Sequence, residues 1–180
     1  DHRILNDFPP SRSFALDACE ANIRNAGTLS ASTIDLTAGG SIGASGARVS
    51  TNATSLSANA TGGSVFITES DSINLTGGGA GATFDLGTGG TASVTGAVTA
   101  PSITITSTGS SSNIALGATL TGSSTITLNA GGSITHSSGT LSGGTITLPS
   151  TGGDVGASVA PILTTAGNLS ATAAGGSVFI

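Results

Sequence analysis

The residues that could perform acid–base chemistry are few in this sequence. Glu69 and Asp71 are the one close pair of carboxylic acids beyond residue 26. Paired carboxylates hydrolyse glycosides when they are held at a defined separation, but enzymes that act on polysaccharides usually carry more acids, bases and aromatic residues than this chain does. We therefore interpret the pair as part of a solvated loop, and the sequence predicts no catalytic residue and no enzyme.

Histidine and cysteine are equally sparse. Neither His2 nor His136 has a second ligand residue at the spacing that a metal site or a nucleophile–base pair needs. Cys19 is the single cysteine, and we interpret it as a small buried residue. Residues 78–83 are similar to a calcium-binding nonapeptide but have Thr83 where that motif requires an aspartate. The sequence therefore predicts no metal site and no cofactor.

The composition excludes further classes of function. Alanine, glycine, serine and threonine make up 110 of the 180 residues, and the formal net charge is −5. The chain has no basic stripe that would neutralise phosphates, so nucleic acid is not an expected partner. Its apolar runs are much shorter than the roughly 20 residues of a transmembrane helix, so we predict no such helix.

The character of the chain changes near residue 26. Seven of its thirteen charged residues lie in residues 1–26, which we interpret as an N-terminal arm followed by a capping helix. The arm is predicted to be extended over residues 4–10. The helix is predicted to begin at Ser13 and to end at Gly27. The apolar residues expected on one face of this helix are Leu16, Cys19 and Ile23.

Residues 27–180 contain two scales of repeat. Residues 39–45 return as residues 152–158, and residues 56–67 return as residues 169–180, both at an offset of 113. A shorter unit alternates hydroxyl or small polar residues with aliphatic or aromatic ones, which is typical of a strand with one buried face. The second positions of this unit are Ile34, Leu56, Phe84, Ile103, Ile126, Ile146 and Leu169.

The longest step between units, from Leu56 to Phe84, spans 28 residues. It holds an extra copy of the unit at residues 72–75, and we predict a loop at residues 77–79. Most units are followed by a Gly-Gly pair and a second short strand. The aliphatic residues of that second strand are Ile42, Val65, Ile134, Val155 and Val178.

About 20 residues with short strands and glycine corners are typical of one turn of a parallel β-solenoid. Equivalent coils stack about 4.8 Å apart, so that each coil pairs its backbone with the next. We therefore predict an all-β, right-handed parallel β-helix of about seven coils over residues 27–180, with a short N-terminal cap or arm. Its core ladder is predicted to consist of Ile34, Ile42, Leu56, Val65, Ile103, Ile126, Ile134, Ile146, Val155, Leu169 and Val178.

These coils resemble the repeat region of filamentous haemagglutinin and related exoproteins of bacterial two-partner secretion. The resemblance rests on a Ser/Thr-Ile-x-Leu strand followed by x-Ala-Gly-Gly-Ser-Ile/Val, as in residues 33–42 and 125–134, and in variant form in residues 145–155 and 168–178. It implies an extracellular or cell-surface adhesin-like shaft. The implied partners are glycans or proteins on host or cell surfaces.

Two alternatives remain open at this stage. The chain begins without methionine, so we interpret it as a processed product or a fragment of a longer protein. As a first alternative function, the chain is compatible with a filament subunit that stacks end to end. The residues expected to contact another subunit are Ile4, Leu5, Phe8, Phe179 and Ile180. The Thr-x-Thr pairs at residues 104–106, 125–127 and 145–147 suggest ice binding as a minor alternative. On the repeat alignment, the units at residues 33–35, 55–57 and 168–170 interrupt such an array.

Overall fold

The computed structural model describes residues 2–3 and 13–180, and every regular element among them is a β-strand. None of the described residues belongs to a helix that could cross a membrane. The strands are β1 (His2–Arg3), β2 (Ser13–Ala18), β3 (Ile23–Arg24), β4 (Thr28–Ala38), β5 (Val49–Ala60), β6 (Val65–Glu69), β7 (Ile73–Ala80), β8 (Thr83–Thr88), β9 (Ala92–Val94), β10 (Val98–Ser107), β11 (Ile114–Leu116), β12 (Leu120–Ala130), β13 (Ile134–His136), β14 (Leu141–Ser150) and β15 (Thr164–Ala173).

The strands stack as a β-solenoid of about eight coils, which confirms the predicted fold class. Thirteen of the described strands join one sheet, and the pairings between them are parallel. Glycine and β-branched threonine disfavour helix at this density, and alternating aliphatic residues give each strand one face to bury. Because a lone coil cannot bury that face, the core forms only where coils stack.

Inward-facing residues form columns along the rod, and we name three of them A, B and C. Column A contains Phe14, Ile34, Leu56, Leu75, Val94, Leu116 and His136. Column B contains Ile23, Ile42, Val65, Phe84, Ile103, Ile126, Ile146 and Leu169. Column C contains Ile73, Ala92, Ile114, Ile134, Val155 and Val178.

The columns correct the alignment of the repeat units. Phe84 stacks on Val65 in column B, and not on Leu56, which belongs to column A. The 28-residue step therefore spans one full coil and, in addition, the step from column A to column B, so the sequence unit moves to another face of the rod. The loop predicted at residues 77–79 is wrong, because these glycines lie within β7. The 113-residue repeat likewise spans five full coils and one further change of column, so that Ile42 lies in column B whereas its equivalent Val155 lies in column C.

The helix predicted from Ser13 to Gly27 is also wrong. Residues 13–18 form β2, in which Phe14 pairs with Ile34 and Leu16 with Leu36. Pairing with the edge of β4 gives this segment backbone partners and a partly covered apolar face, which outweighs its helical spacing. The stacking thus extends before residue 27, and about eight coils replace the predicted seven. The arm at residues 4–10 lies outside the described residues.

Two ladders of side-chain oxygens run along the rod. In each ladder, an oxygen of Ser, Thr, Asn or Asp accepts a hydrogen bond from the backbone N–H of its equivalent in the next coil, over 2.6–3.3 Å. The first ladder joins Asn22, Ser41, Ser64 and Thr83. The second joins Ser72, Thr91, Asn113, Ser133, Asp154 and Ser177. Each member directly precedes a residue of column B or C, so the ladders hold those columns in register.

In the Gly-Gly pairs that precede a ladder residue, the second glycine packs against a ladder oxygen. A Cβ on Gly63 would lie 2.7 Å from the backbone carbonyl group of Gly40, and closer still to Oγ of Ser41. The glycines that meet the preceding ladder oxygen in the same way are Gly40, Gly90, Gly132, Gly153 and Gly176. The glycine pair and the acceptor that follows it therefore form one structural unit.

Substitution of Gly63 tests this unit. We expect Gly63→Ala to lower the free energy of unfolding by about 1–3 kcal/mol, the range for overpacking a close-packed site. Gly46→Ala is the matched control, because no atom lies within 4 Å of its Cβ position, and we expect a change within about 0.5 kcal/mol. Urea unfolding measures both. Equal losses in the two variants would contradict the account.

Candidate functional site

Most residues of the predicted core ladder line the interior. Nine of the eleven have no solvent exposure, whereas Leu169 and Val178 are each 43% exposed. These two continue columns B and C in register, but no described coil packs over the last coil. Phe179 is half-buried and Ile180 is 47% exposed in the same coil. Ile4, Leu5 and Phe8 lie outside the described residues.

One corner of the rod carries a buried polar column that the sequence analysis missed. It runs through Leu29, Thr51, Glu69, Thr88, Ser107, Ala130, Ser150 and Ala173. The buried polar members are at most 2% exposed. The hydroxyls of Thr88, Ser107 and Ser150 donate to backbone carbonyls at glycine corners, Thr88 and Ser107 to Gly90 and Ser150 to Gly153. The sequence signal for this column is a hydroxyl residue at the next inward position of a strand, two residues after a buried aliphatic residue.

Glu69 is the one acid in this column and is 1% exposed. Its carboxylate accepts hydrogen bonds from the Thr51 hydroxyl at 2.7 Å and from the backbone N–H groups of Ala53 and Ser70 at about 3 Å. Burial raises the pKa of Glu69 above its ordinary value, and the charge of Asp71 raises it further, against the opposing effect of these donors. The predicted solvated loop is therefore incorrect for Glu69, whereas Asp71 is exposed.

A polar cleft of about 390 Å³ lies beside this corner. Its lining includes Ser30, Ser32, Asn52, Thr54, Asp71 and Ser72. Glu69 does not line the cleft, because its carboxylate turns inward to Thr51 and Ala53. The two carboxylates therefore do not line this cleft together.

An arginine staple spans neighbouring coils on the outer surface. Arg48 forms a bidentate ion pair with Asp85, with both nitrogen–oxygen distances at 2.9 Å. It also donates to the carbonyl of Ile67 and lies 6.0 Å from the ring centroid of Phe66. Phe66 points outward beneath this guanidinium, as strict alternation from Val65 predicts. Planar bidentate pairing suits arginine. The contacts of Arg48 with Ile67 on β6 and Asp85 on β8 therefore hold neighbouring coils together on the outer surface.

The remaining reactive residues are apart from one another. Cys19 is exposed, against expectation, because it follows β2 in the outermost described coil. A hydrogen bond from its thiol to Asp17, together with the charge of Asp17, raises the pKa of the Cys19 thiol. His136 lies within hydrogen-bonding distance of the Gly139 carbonyl at 3.0 Å. Among residues 13–180, no three potential metal ligands come together.

The outer side of the column B strands forms a regular array that we name the hydroxyl face. It consists of Ser102, Thr104 and Thr106 on β10, Thr125 and Thr127 on β12, and Thr145 and Thr147 on β14. Ser102 pairs with Thr125 and Thr125 with Thr145, while Thr104 pairs with Thr127 and Thr127 with Thr147. The predicted interruptions at residues 33–35 and 55–57 lie on the column A strands instead. The array is therefore continuous over three coils.

Comparison with known proteins adds no relative, since no family model, curated protein or solved structure matches this chain.

The buried carboxylate predicts a measurable pH dependence. A group whose pKa is higher in the folded chain than in the unfolded chain stabilises folding at low pH and loses that contribution as the pH rises. We therefore expect Glu69→Gln to become more stable relative to the native chain as the pH rises above 4.5, the ordinary pKa of glutamate. The free energy of urea unfolding, measured across pH for both proteins, checks this. The exposed Glu20→Gln variant should follow the native curve, and a Glu69→Gln curve parallel to it would contradict the assignment.

Proposed function

We propose that this chain is a non-enzymatic adhesin-like shaft that works outside a bacterial cell and mediates attachment or aggregation. The observation that carries the proposal is the unbroken stacking of about eight coils. Seven steps between coils give a rod about 34 Å long. Neighbouring coils are bonded through backbone groups and through one or both of the side-chain ladders, so the rod is stiff.

The exterior supports this proposal. Hydroxyl residues repeat along the rod, and the ion pair of Arg48 with Asp85 neutralises two of its few charges. A surface of this kind presents many equivalent hydrogen-bonding groups, so weak contacts add through multivalency. The resemblance of residues 33–42 and 125–134 to haemagglutinin-type coils points to the same role. Glycans or proteins on other cells are the proposed partners.

An attachment assay tests this function. Beads that carry the 180-residue chain are compared with beads that carry a chain of the same composition in scrambled order, which cannot stack coils. We expect the native chain to raise bead attachment to epithelial cells, or bead aggregation, at least severalfold. Equal attachment and aggregation by the two sets of beads would reject the adhesive role.

A second candidate is a structural subunit that stacks end to end into an extracellular filament. It is favoured by the last coil, in which Leu169, Val178 and Ile180 expose apolar surface beside an unpaired strand edge. These residues mark the position at which a further coil, from this chain or a second copy, would add. In the internal repeat, Val65 and Ile67 are equivalent to Val178 and Ile180, and β8 covers them.

Light scattering separates the two candidates. As a filament subunit, the 180-residue chain should form rods whose mass grows with concentration, and Val178→Glu should abolish the growth. The exposed Thr121→Glu variant is a matched control that should leave assembly unchanged. A monomer at every concentration would exclude the filament.

A further inference from the structure

We propose that the hydroxyl face binds ice. This function is separate from the proposed adhesive shaft and does not depend on it. The structure places two of the three interrupting units, at residues 33–35 and 55–57, on another face. The third, at residues 168–170, pairs with β14 at the end of the array, so it bounds the array and does not divide it. The rows of Ser102, Thr125 and Thr145 and of Thr104, Thr127 and Thr147 follow one another without a register shift.

The array has two fixed repeats. Neighbouring coils lie about 4.8 Å apart, and alternate residues of a strand lie about 6.6 Å apart. Ice presents oxygen atoms in a lattice of comparable dimensions, whereas liquid water has no fixed positions. An ordered grid of hydroxyls therefore matches many sites on a crystal at once. Six hydroxyls in two rows of three form the centre of this grid.

The grid is rigid because of what lies beneath it. Ile103, Ile126 and Ile146 are fully buried directly between the two rows, and Ile105, Leu128 and Leu148 are buried beside them. Threonine is restricted at χ1, and Ser102 is hydrogen-bonded to Thr125 at 2.8 Å. Binding to a crystal therefore costs little ordering of the protein, which favours a preorganised surface.

The chemistry of the face favours water over other ligands. Each hydroxyl donates and accepts hydrogen bonds, and each threonine adds a methyl group. No charged or aromatic residue lies among residues 102–106, 125–129 or 145–149. Nucleic acids and ions need charge, which this face lacks. Asp85, the nearest acid in the preceding row, is paired with Arg48.

The test is thermal hysteresis and ice-crystal shape in solutions of the 180-residue chain. We expect a gap between melting and freezing temperatures together with faceted crystals. Thr127→Lys, at the centre of the grid, should abolish both. Thr104→Lys provides a second disruption of the grid. Thr121→Lys on the same strand is the matched control, because it is exposed outside the hydroxyl face, and it should retain full activity.

Several results would overturn the proposal. Circular dichroism and melting curves first establish that each variant is folded. A folded native chain without hysteresis or faceting rejects ice binding, as does activity that survives both Thr127→Lys and Thr104→Lys. Binding to chitin or cellulose powder without any effect on ice would reassign the face to a crystalline polysaccharide and would equally reject the proposal.

Discussion

Hydrogen bonding along the rod axis is the constraint on which the whole structure depends. Each coil leaves its backbone groups unpaired until the next coil arrives, and the corners would leave further N–H groups without partners. The two oxygen ladders bond to those corner groups, as Ser133 does to the N–H of Asp154. At six of the ten ladder positions a glycine directly precedes the ladder residue, and a Cβ there would clash with the ladder oxygen of the preceding coil. The motif Gly-Gly-Ser-Ile therefore combines close approach, an acceptor and a core residue.

This constraint explains the composition of the chain. Serine, threonine and asparagine serve in three structural roles: in the ladders, in the buried corner column and on the outer strand faces. In the corner column, hydroxyls of Thr51 and Ser107 bond to polar groups that an aliphatic residue would leave unsatisfied. A narrow tube needs only a few apolar columns, so few large residues suffice. Many hydroxyls therefore have structural roles, and only those on the outside remain free for binding.

Much of the fold could be predicted from local pattern, because alternation and glycine pairs report directly on strands and corners. The inward positions of Ile126 and Val155 follow from that alternation. The face on which each unit lies could not be predicted, because Leu56 and Phe84 occupy the same position of the sequence unit yet belong to different columns. β2 was missed because Leu16, Cys19 and Ile23 have helical spacing, whereas its pairing partner lies in β4. The burial of Glu69 depends on Thr51, from the preceding coil, and local sequence does not show this.

The central claim is that the sequence unit moves from column A to column B between Leu56 and Phe84. Cross-linking tests this claim most directly. The experiment uses a Cys19→Ser background. In the structure, positions 66 and 85 are neighbours across β6 and β8. Positions 57 and 85 are equivalent only in the alignment of the sequence units, and would be neighbours only if those units stacked on one another. Oxidation should join the pair Phe66→Cys and Asp85→Cys and leave the pair Ser57→Cys and Asp85→Cys reduced. A disulfide between positions 57 and 85, with none between 66 and 85, would contradict the account.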